Sequence, residues 1–329
     1  MTPPPDPEPP ALAAIVERLR SARHVVVSSH ERPDGDAIGS GMALTLALRA
    51  RGVDARMAMC DLPPHYLRPF PGVETLWITP EITERFDAAV IMECSRLERT
   101  GIRGLDLSPV LNIDHHPGNS GYGVVNWVDE SAAACGELVY TLIRALDAPW
   151  TADAATHVYL AILTDTGSFH FSHLTPRTYE IAARCVAAGA DPQWIARTHY
   201  DSNSMGRVRL FGAVLSAMTV APSGRSVLLA ITPAIAAAAG GTYDDTEGLI
   251  NFPLSVQEVQ AVAFLKETAT PGDWRVSLRS KGATDIGAIA KARGGGGHRN
   301  AAGCSARGTL DEVRREFLAA LEAAVVQAP

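Results

Sequence analysis

Four apolar runs in this chain each end in a short polar cluster, and no other feature constrains the fold as strongly. The runs cover residues 24–29, 88–92, 110–113 and 158–163. They are followed, in that order, by His30, Asp34 and Asp36, by Glu93, by Asp114, His115 and His116, and by Thr164 and Asp165. Functional groups of α/β folds gather at the ends of strands and helices. Imidazoles and carboxylates bind divalent cations, so the sequence predicts a two-metal hydrolase acting on phosphate esters.

The order of the elements predicts an α/β fold. Strand-like stretches such as 25–29 and 90–93 alternate with helix-like stretches such as 37–51 and 132–146. This alternation is typical of a parallel sheet covered by helices, and runs that are apolar throughout suit strands buried on both faces. We therefore expect an N-terminal domain with a parallel sheet and helices on both faces.

A second, smaller unit is predicted to begin near Val214. Its strand candidates are 227–231, 259–265 and 274–278, and its helix candidates are 285–293 and 310–326. Their order indicates an α/β domain with a mixed sheet. The predicted organisation is a disordered, proline-rich leader (1–10), a metal-binding domain (11–190), a helical linker (191–213) and a substrate-binding domain (214–329).

The composition of the chain limits the possible functions and the possible cellular compartments. The 329 residues carry a net charge of -7, which argues against coating long nucleic-acid duplexes but leaves room for a short substrate in a local basic pocket. The five cysteines, an odd number without C-x-x-C spacing, fit reduced thiols. No stretch reaches the roughly 20 apolar residues of a membrane helix, and the N-terminus lacks the pattern of a signal peptide. We expect a cytoplasmic protein without a membrane partner.

Each polar cluster has a simpler explanation when it is taken alone. Asp36 by itself is better explained as the cap of the helix that follows. His115 and His116 by themselves are solvated loop residues, and Asp165 is the polar end of a helix. Taken together they favour metal ligation, because a buried imidazole needs partners and a helix dipole disfavours a carboxylate at the C-terminus unless a cation is present.

A glycine run at 294–297 is the clearest feature of the second unit. Glycines cost chain entropy, and close approach of backbone N–H groups to a phosphate is one reason to keep them. A flexible surface loop is the alternative. Basic residues surround the run, and Arg279, with Ser280, is the best candidate for gripping a phosphate because its planar fork bonds two oxygens.

At this point the motifs resemble those of the DHH phosphoesterase superfamily. They are H-x-x-x-D-G-D-x-x-G-S (30–40), D-H-H (114–116) and T-D-T-G-S-F (164–169). The segment GGGGHRNAAG (294–303) is similar to the glycine loop of the DHH-associated C-terminal domain. The resemblance spans roughly residues 20–305 in the right order. Within the superfamily, the length and two-domain layout resemble bacterial nanoRNases that also dephosphorylate 3′-phosphoadenosine 5′-phosphate (pAp).

The resemblance implies a site with two divalent ions, Mn²⁺ first and Mg²⁺ or Co²⁺ as alternatives. One ion would be held by His30, Asp34 and Glu93, and the other by Asp36, Glu93, His115 and Asp165. The family's bridging ligand is an aspartate, so Glu93 is a departure that changes the bridging geometry. His116 and Asp114 would be catalytic, with His116 binding or protonating the departing group. Substrate would be held by Arg279, Ser280, Gly295, Gly296, Gly297, His298 and Arg299.

The implied activity is hydrolysis of short RNA from an end and of pAp to AMP. The partner would be a short single-stranded RNA or a small nucleotide, and the resemblance suggests a homodimer. One alternative is a phosphodiesterase for cyclic dinucleotides or for linear pGpG and pApA. Another is a catalytically weak nucleotide-binding sensor, for which Glu93 is the only support in the sequence.

Overall fold

The computed structural model describes residues 9–170, 174–246, 248–297 and 299–327. The chain divides into two compact units, Met1–Ser202 and Asn203–Pro329. Most of the predicted leader, residues 1–8, lies outside the described residues, but Pro10 begins the first helix. Within the described residues, no helix has both the length and the apolar character to cross a bilayer.

A parallel six-stranded sheet organises the first unit. Its strands are β1 (His24–Ser28), β2 (Asp54–Met59), β3 (Trp77–Ile78), β4 (Ala88–Met92), β5 (Val110–Asp114) and β6 (Val125–Val128). Their spatial order is β3-β2-β1-β4-β5-β6, and Val25 of β1 pairs with both Ala55 and Ala88. The chain order reverses between β1 and β4. The segments that leave the carboxyl ends of β1, β4 and β5 therefore open onto a switch point of the kind where α/β proteins bind ligands.

The described residues of this unit include six α-helices. They are α1 (Pro10–Ser21), α2 (Gly35–Ala50), α3 (Cys135–Ala145), α4 (Ala152–Asp165), α5 (Pro176–Ala187) and α6 (Pro192–Tyr200). Val25 and Val27 share a core with these helices, whereas Val26 points the other way and packs with residues such as Ile82 and Leu105. The segments covering that second face are loops and short 3-10 turns. Short 3-10 turns and loops suffice on this face, because alternate residues of buried strands need an apolar cover but not an α-helical one.

Close contact between α2 and α4 brings two polar clusters together. A Cβ atom at Gly39 would lie 2.6 Å from the His157 carbonyl oxygen, so the approach requires glycine there. At the start of α2, a Cβ atom at Gly35 would lie within 2.4 Å of the Thr164 side chain. The N-terminus of α2, which carries Asp36, therefore lies against the C-terminus of α4, which carries Asp165.

The second unit is built on a mixed sheet ordered β11-β12-β10-β9-β8-β7. The strands are β7 (Thr219–Val220), β8 (Ser226–Ile231), β9 (Ala261–Glu267), β10 (Asp273–Ser280), β11 (Gly296–Gly297) and β12 (Ala301–Arg307). Its helices are α7 (Met205–Ser216), α8 (Pro233–Ala239), α9 (Asn251–Leu254), α10 (Gly287–Lys291) and α11 (Leu310–Gln327). Only β8 and β9 run parallel. Residues of α10 and α11 pack on one face and residues of α7 and α8 on the other.

The predicted α/β class, with a parallel sheet first and a smaller mixed sheet second, is confirmed. The stretch predicted as one helical linker (191–213) instead contains α6 and the first part of α7, and the division between the units falls between these two helices. The exact domain limits stay a prediction.

Candidate metal centre

The two aspartates at the start of α2 differ in what their side chains contact. Asp34, not Asp36, is the N-cap of α2, and its side chain accepts a hydrogen bond from the Ala37 amide at 2.9 Å. Asp36 lies two residues further along, in the first turn of α2, and is 1% exposed. The simple explanation of Asp36 as the cap of its own helix is therefore wrong, because Asp34 already occupies the extended conformation of an N-cap.

Asp36 binds the start of a different helix. Its carboxylate accepts hydrogen bonds from the amides of Cys135 (2.7 Å) and Gly136 (3.1 Å), the first two residues of α3, and from the Ser40 hydroxyl (2.6 Å). The N-cap position of α3 is Ala134, which has no side-chain acceptor. Asp36 thus supplies the negative charge that a helix N-terminus favours, and this bond fixes the carboxylate beside β5.

Glu93 follows β4 in a left-handed backbone conformation, with φ 55°. Its side chain is 2% exposed, and Oε2 is buried without a hydrogen-bond partner. Burial, and next the charge of Asp36, raise the pKa of Glu93 to about 8. The nearest positive groups are the two histidine rings, with His115 Nε2 and His116 Nδ1 each 3.3 Å from a Glu93 oxygen, so this buried carboxylate favours a positive charge at this position.

His115 presents one ring nitrogen to three carboxylates. Its Nδ1 lies 3.0 Å from the Ala132 carbonyl oxygen, which can only accept, so Nδ1 carries the proton. Its Nε2 is buried without a hydrogen-bond partner, 3.3 Å from Glu93, 3.5 Å from Asp165 and 3.8 Å from Asp36. Burial opposes the charged ring, but Glu93 and then Asp36 and Asp165 raise the pKa of His115 to about 11.

His116 is oriented by Asp114, the last residue of β5. Asp114 Oδ1 accepts from the His115 and His116 amides, at 2.9 and 3.2 Å, and lies 3.0 Å from His116 Nδ1. Asn119 donates to Asp114 Oδ2 at 2.7 Å. Despite burial, the hydrogen bonds from His116 and Asn119 hold the pKa of Asp114 below its ordinary value. Against its own burial, the Asp114 hydrogen bond and the charge of Glu93 raise the pKa of His116 to about 9.

Asp165 ends α4 and completes the cluster. Burial and the charge of Asp36 raise its pKa to about 7. The ligand atoms of Asp36, His115 and Asp165 lie within 4.8 Å of one another, and so do those of Glu93, His115 and His116. His30 and Asp34 belong to neither group. Their closest atoms, His30 Nε2 and Asp34 Oδ2, are 3.7 Å apart.

These residues fit a divalent cation. Two buried atoms, Glu93 Oε2 and His115 Nε2, face each other at 3.3 Å, and a cation that displaced the ring proton would find a lone pair on each of them. Carboxylates surround them, and their mutual repulsion is relieved by a cation. The second nitrogen of His115 is held by a backbone carbonyl, which is the usual arrangement of a metal-binding histidine.

The glycine loop of the second unit is shaped by close packing against β12. Cβ atoms would lie 2.2 Å from the Gly303 carbonyl oxygen at Gly295, and 2.5 Å from the Ala301 carbonyl oxygen at Gly297, where φ is 130°. At Gly296 a Cβ atom would meet nothing within 4 Å. Packing therefore accounts for Gly295 and Gly297, whereas Gly294 is as open as Gly296 at its Cβ position. His298 lies outside the described residues.

The predicted phosphate-binding side chains differ in how many hydrogen bonds they already make within the protein. Ser280 is buried, donating to the Thr284 carbonyl at 2.7 Å and accepting from Asn300 at 2.8 Å. Arg279 is partly buried, and burial lowers the pKa of its guanidinium, which donates to the Leu278 carbonyl. The Arg299 side chain is exposed. The Ser280 hydroxyl thus holds Thr284 and Asn300 together, whereas the two arginines retain N–H donors that could bind an anion.

Comparison with known proteins gives the family of the chain. The DHH family N-terminal domain model matches residues 24–162, and the DHHA1 domain model matches 231–327. A Thermus thermophilus protein named bifunctional oligoribonuclease and PAP phosphatase NrnA is 34% identical over 307 residues, covering 92% of this chain and 91% of that protein. The chain belongs to the DHH family. The resemblance drawn from the motifs is thereby confirmed.

Two further relatives extend the comparison for this DHH protein. A Bacillus subtilis protein of the same name is 27% identical and covers 85% of this chain and 88% of its own length. The crystal structure of an exopolyphosphatase-related protein from Bacteroides fragilis superposes with a TM-score of 0.88 at 28% identity, covering 95% of both chains. Both units of the DHH protein thus have a counterpart in one solved fold.

Several residues that shape the DHH site were missed from the sequence. The Ala132 carbonyl and the α3 amides contribute only backbone atoms, which no motif reports. Asn119 and Tyr122 contribute side chains that bond Asp114 and the Cys94 carbonyl, but they are common polar residues in loops. The one available signal for Asn119 was its place five residues after Asp114, in the loop that leaves the D-H-H cluster.

Proposed function

We propose that this DHH protein hydrolyses phosphate esters in short RNA oligonucleotides, from an end, and in pAp. The observation that carries the proposal is the pair of unpartnered buried atoms, Glu93 Oε2 and His115 Nε2, in a ring of carboxylates at the switch point of the parallel sheet. Relatives that match over most of their length bear the name oligoribonuclease and PAP phosphatase, which supports the choice of substrates.

The proposed ligands are those expected from the motifs. His30, Asp34 and Glu93 would hold one divalent ion, and Asp36, Glu93, His115 and Asp165 the other. Mn²⁺ is the first choice, with Mg²⁺ and Co²⁺ as alternatives. Such a pair of ions lowers the pKa of a bound water and stabilises the attacking and leaving oxygens of the phosphoryl group.

His116 is proposed as the general acid. Its Nδ1 faces Asp114 Oδ1 at 3.0 Å, so Nε2 is the nitrogen left for the leaving oxygen. A pKa raised to about 9 keeps the ring protonated at neutral pH, ready to donate from Nε2. Asp114 orients the ring and stabilises its charge, in the way a buried aspartate positions a catalytic histidine.

The second unit is proposed to bind the substrate through Arg279, Ser280, Arg299, His298 and the glycines 295–297. Among these, the exposed backbone of Gly296 and the guanidinium groups offer donors to a phosphate. The role of Ser280 would be indirect, because its hydroxyl already bonds Thr284 and Asn300. Recognition of an end would explain how an acidic protein acts on short RNA.

A substrate panel tests the proposal. The protein is incubated with Mn²⁺ and a 5′-labelled RNA trimer, pAp, pGpG, pApA or cyclic di-AMP, with Asp36→Asn as the inactive control. Release of mononucleotides from the trimer and of phosphate from pAp is the expected result. Preferential turnover of the dinucleotides would favour the phosphodiesterase alternative, and binding without turnover on any substrate would favour a sensor.

The proposal extends to the compartment and the oligomeric state of the protein. All five cysteines are free, which supports a reducing compartment such as the cytoplasm. A homodimer is suggested by the family resemblance, and measuring the mass in solution by light scattering tests it.

A further inference from the structure

Arg177, near the start of α5, forms ion pairs with two acidic side chains at once. Its Nε lies 2.6 Å from Glu137 Oε2, and its Nη1 lies 3.0 Å from Asp129 Oδ2. The Glu137 side chain is 0% exposed, and its other oxygen accepts from the Thr178 hydroxyl at 2.6 Å. None of these residues belongs to the candidate metal centre or to a motif recognised in the sequence.

The two acidic partners bracket one short segment. Residues 129–137 run from the end of β6 into the first turn of α3, and three backbone groups of this segment contact proposed metal ligands. The Ala132 carbonyl lies 3.0 Å from His115 Nδ1, while the Cys135 and Gly136 amides donate to Asp36 at 2.7 and 3.1 Å. A single segment therefore sets the position of two proposed ligands.

Asp129 fixes the turn just before Ala132. Its Oδ1 accepts from the Ser131 amide at 3.0 Å and from the Ser131 hydroxyl, and its carbonyl accepts from the Ala132 amide at 3.1 Å. Its own amide donates to the Asp114 carbonyl at 3.0 Å. Movement of Asp129 would consequently move the Ala132 carbonyl relative to β5, where the D-H-H cluster lies.

We propose that Arg177 is a positioning residue for the metal centre. By tying Asp129 to Glu137, it fixes the 129–137 segment so that the Ala132 carbonyl orients His115 and the α3 amides orient Asp36. This inference rests on the proposed function, because the two ligands are proposals. The planar fork of arginine reaches two carboxylates in fixed geometry, which the single ammonium of lysine cannot do. Partners that orient metal ligands are usually worth a measurable part of metal affinity.

We call the two ion pairs of Arg177, to Asp129 and to Glu137, the clamp. Two variants, the clamp variants, test it without leaving Glu137 unpaired. Arg177→Lys keeps a positive charge for Glu137 but loses the fork. Asp129→Asn keeps an oxygen for Ser131 and removes only the ion pair to Arg177. The matched control is Arg184→Met, an exposed arginine on the same helix. Thermal unfolding of each variant reports any general loss of stability.

The first readout is the affinity of the metal-free protein for Mn²⁺, measured by titration calorimetry. We expect Arg177→Lys and Asp129→Asn each to weaken binding about tenfold, with Arg184→Met unchanged. The second readout needs no metal: the exchange rate of the His115 Nδ1–H proton, followed by NMR on histidine-labelled protein. We expect exchange to be about tenfold faster in both clamp variants, because the Ala132 carbonyl no longer holds the proton.

The proposal would be overturned if both clamp variants kept the Mn²⁺ affinity and the His115 Nδ1–H exchange rate of the wild type. It would also be overturned if Arg184→Met changed these two quantities as much as the clamp variants do. A loss in Arg177→Lys alone would also overturn it, since the bridge to Asp129 would then be irrelevant. If the wild-type protein binds no Mn²⁺ and hydrolyses no phosphate ester, the proposed function fails. The Nδ1–H exchange rate then decides alone whether Arg177 positions His115.

Discussion

Glu93 combines a left-handed backbone, full burial and an unpartnered oxygen in one side chain. The carbonyl of the next residue, Cys94, accepts from Tyr122 at 2.8 Å, from Asn112 at 3.3 Å and from Asn119 at 3.4 Å. A non-glycine residue in this conformation costs on the order of 1–3 kcal/mol and persists only where its surroundings impose it. Three donors on one carbonyl provide that constraint, and the strain directs the carboxylate at His115.

The first prediction is that Glu93→Ala lowers the number of bound Mn²⁺ ions and abolishes hydrolysis. The metal-free variant should be at least as stable as the wild type, because it loses a buried carboxyl whose ionised form is unfavourable. Elemental analysis of dialysed protein and a urea titration measure these two effects. Glu98→Ala, an exposed neighbour, is the control. Unchanged metal content together with unchanged activity would remove Glu93 from the site.

The second prediction concerns His116. Replacing it with Asn should lower kcat by about 10²–10⁴, the usual contribution of a general acid, with little change in KM or metal content. Asp114→Asn should lower kcat in the same direction, since it weakens the hydrogen bond that orients the ring. A loss of bound metal in His116→Asn that parallels the loss of activity would instead make His116 a ligand.

At the level of elements, apolar runs predicted β1, β4 and β5 well, and helical spacing predicted α2 and α4. β2 was missed because Asp54 and Arg56 interrupt its apolar residues, and only pairing with β1 makes it a strand. β12 was missed because small residues (Ala301–Arg307) carry little strand propensity on their own. In both cases a neighbouring strand, and not the local sequence, determines the structure.

Helix contact gives the third prediction. Gly39→Ala should destabilise the first unit by about 1–3 kcal/mol, the usual cost of overpacking, since the new methyl group would lie 2.6 Å from the His157 carbonyl oxygen. Gly212→Ala on α7, where a Cβ atom meets nothing within 4 Å, is the matched control and should be neutral or stabilising. Denaturant unfolding compares them. Equal stability of the two variants would mean that α2 and α4 do not require this approach.

For the whole molecule, the motifs indicated the candidate site residues but not the contacts that bring them together. The clusters at 30–36, 93, 114–116 and 165 lie far apart in the chain, and only the strand order and the α2–α4 contact bring most of them together. Single-residue patterns could not predict that Asp36 binds the start of α3, because this contact depends on an amide one hundred residues away. Nor could they predict the clamp by Arg177.

The fourth prediction concerns stability against acid. His157 is buried in α4 with Nε2 2.7 Å from the Pro71 carbonyl oxygen, and burial lowers its pKa to about 4 from an ordinary 6.5. Between these values the unfolded chain binds a proton that the folded chain does not. This group therefore reduces the free energy of unfolding by about 1.4 kcal/mol per pH unit as the pH falls from 6.5 to 4.

Urea titrations at several pH values measure the effect. His157→Gln should unfold more easily at pH 7 but should lose less stability than the wild type between pH 6.5 and 4. The comparison of the two proteins removes the contributions of all other groups. An identical pH dependence would show that His157 titrates normally in the folded protein.

The position of Asp165 at the end of α4 also bears on synthesis of the chain. Every other member of the clustered imidazoles and carboxylates precedes it, so a ribosome must complete half of the polypeptide before the set exists at all. The two strands that pair with β1, β2 and β4, also leave the ribosome at different times. A nascent chain released before this helix emerges would therefore lack one of the proposed ligands, so we expect such a product to be inactive.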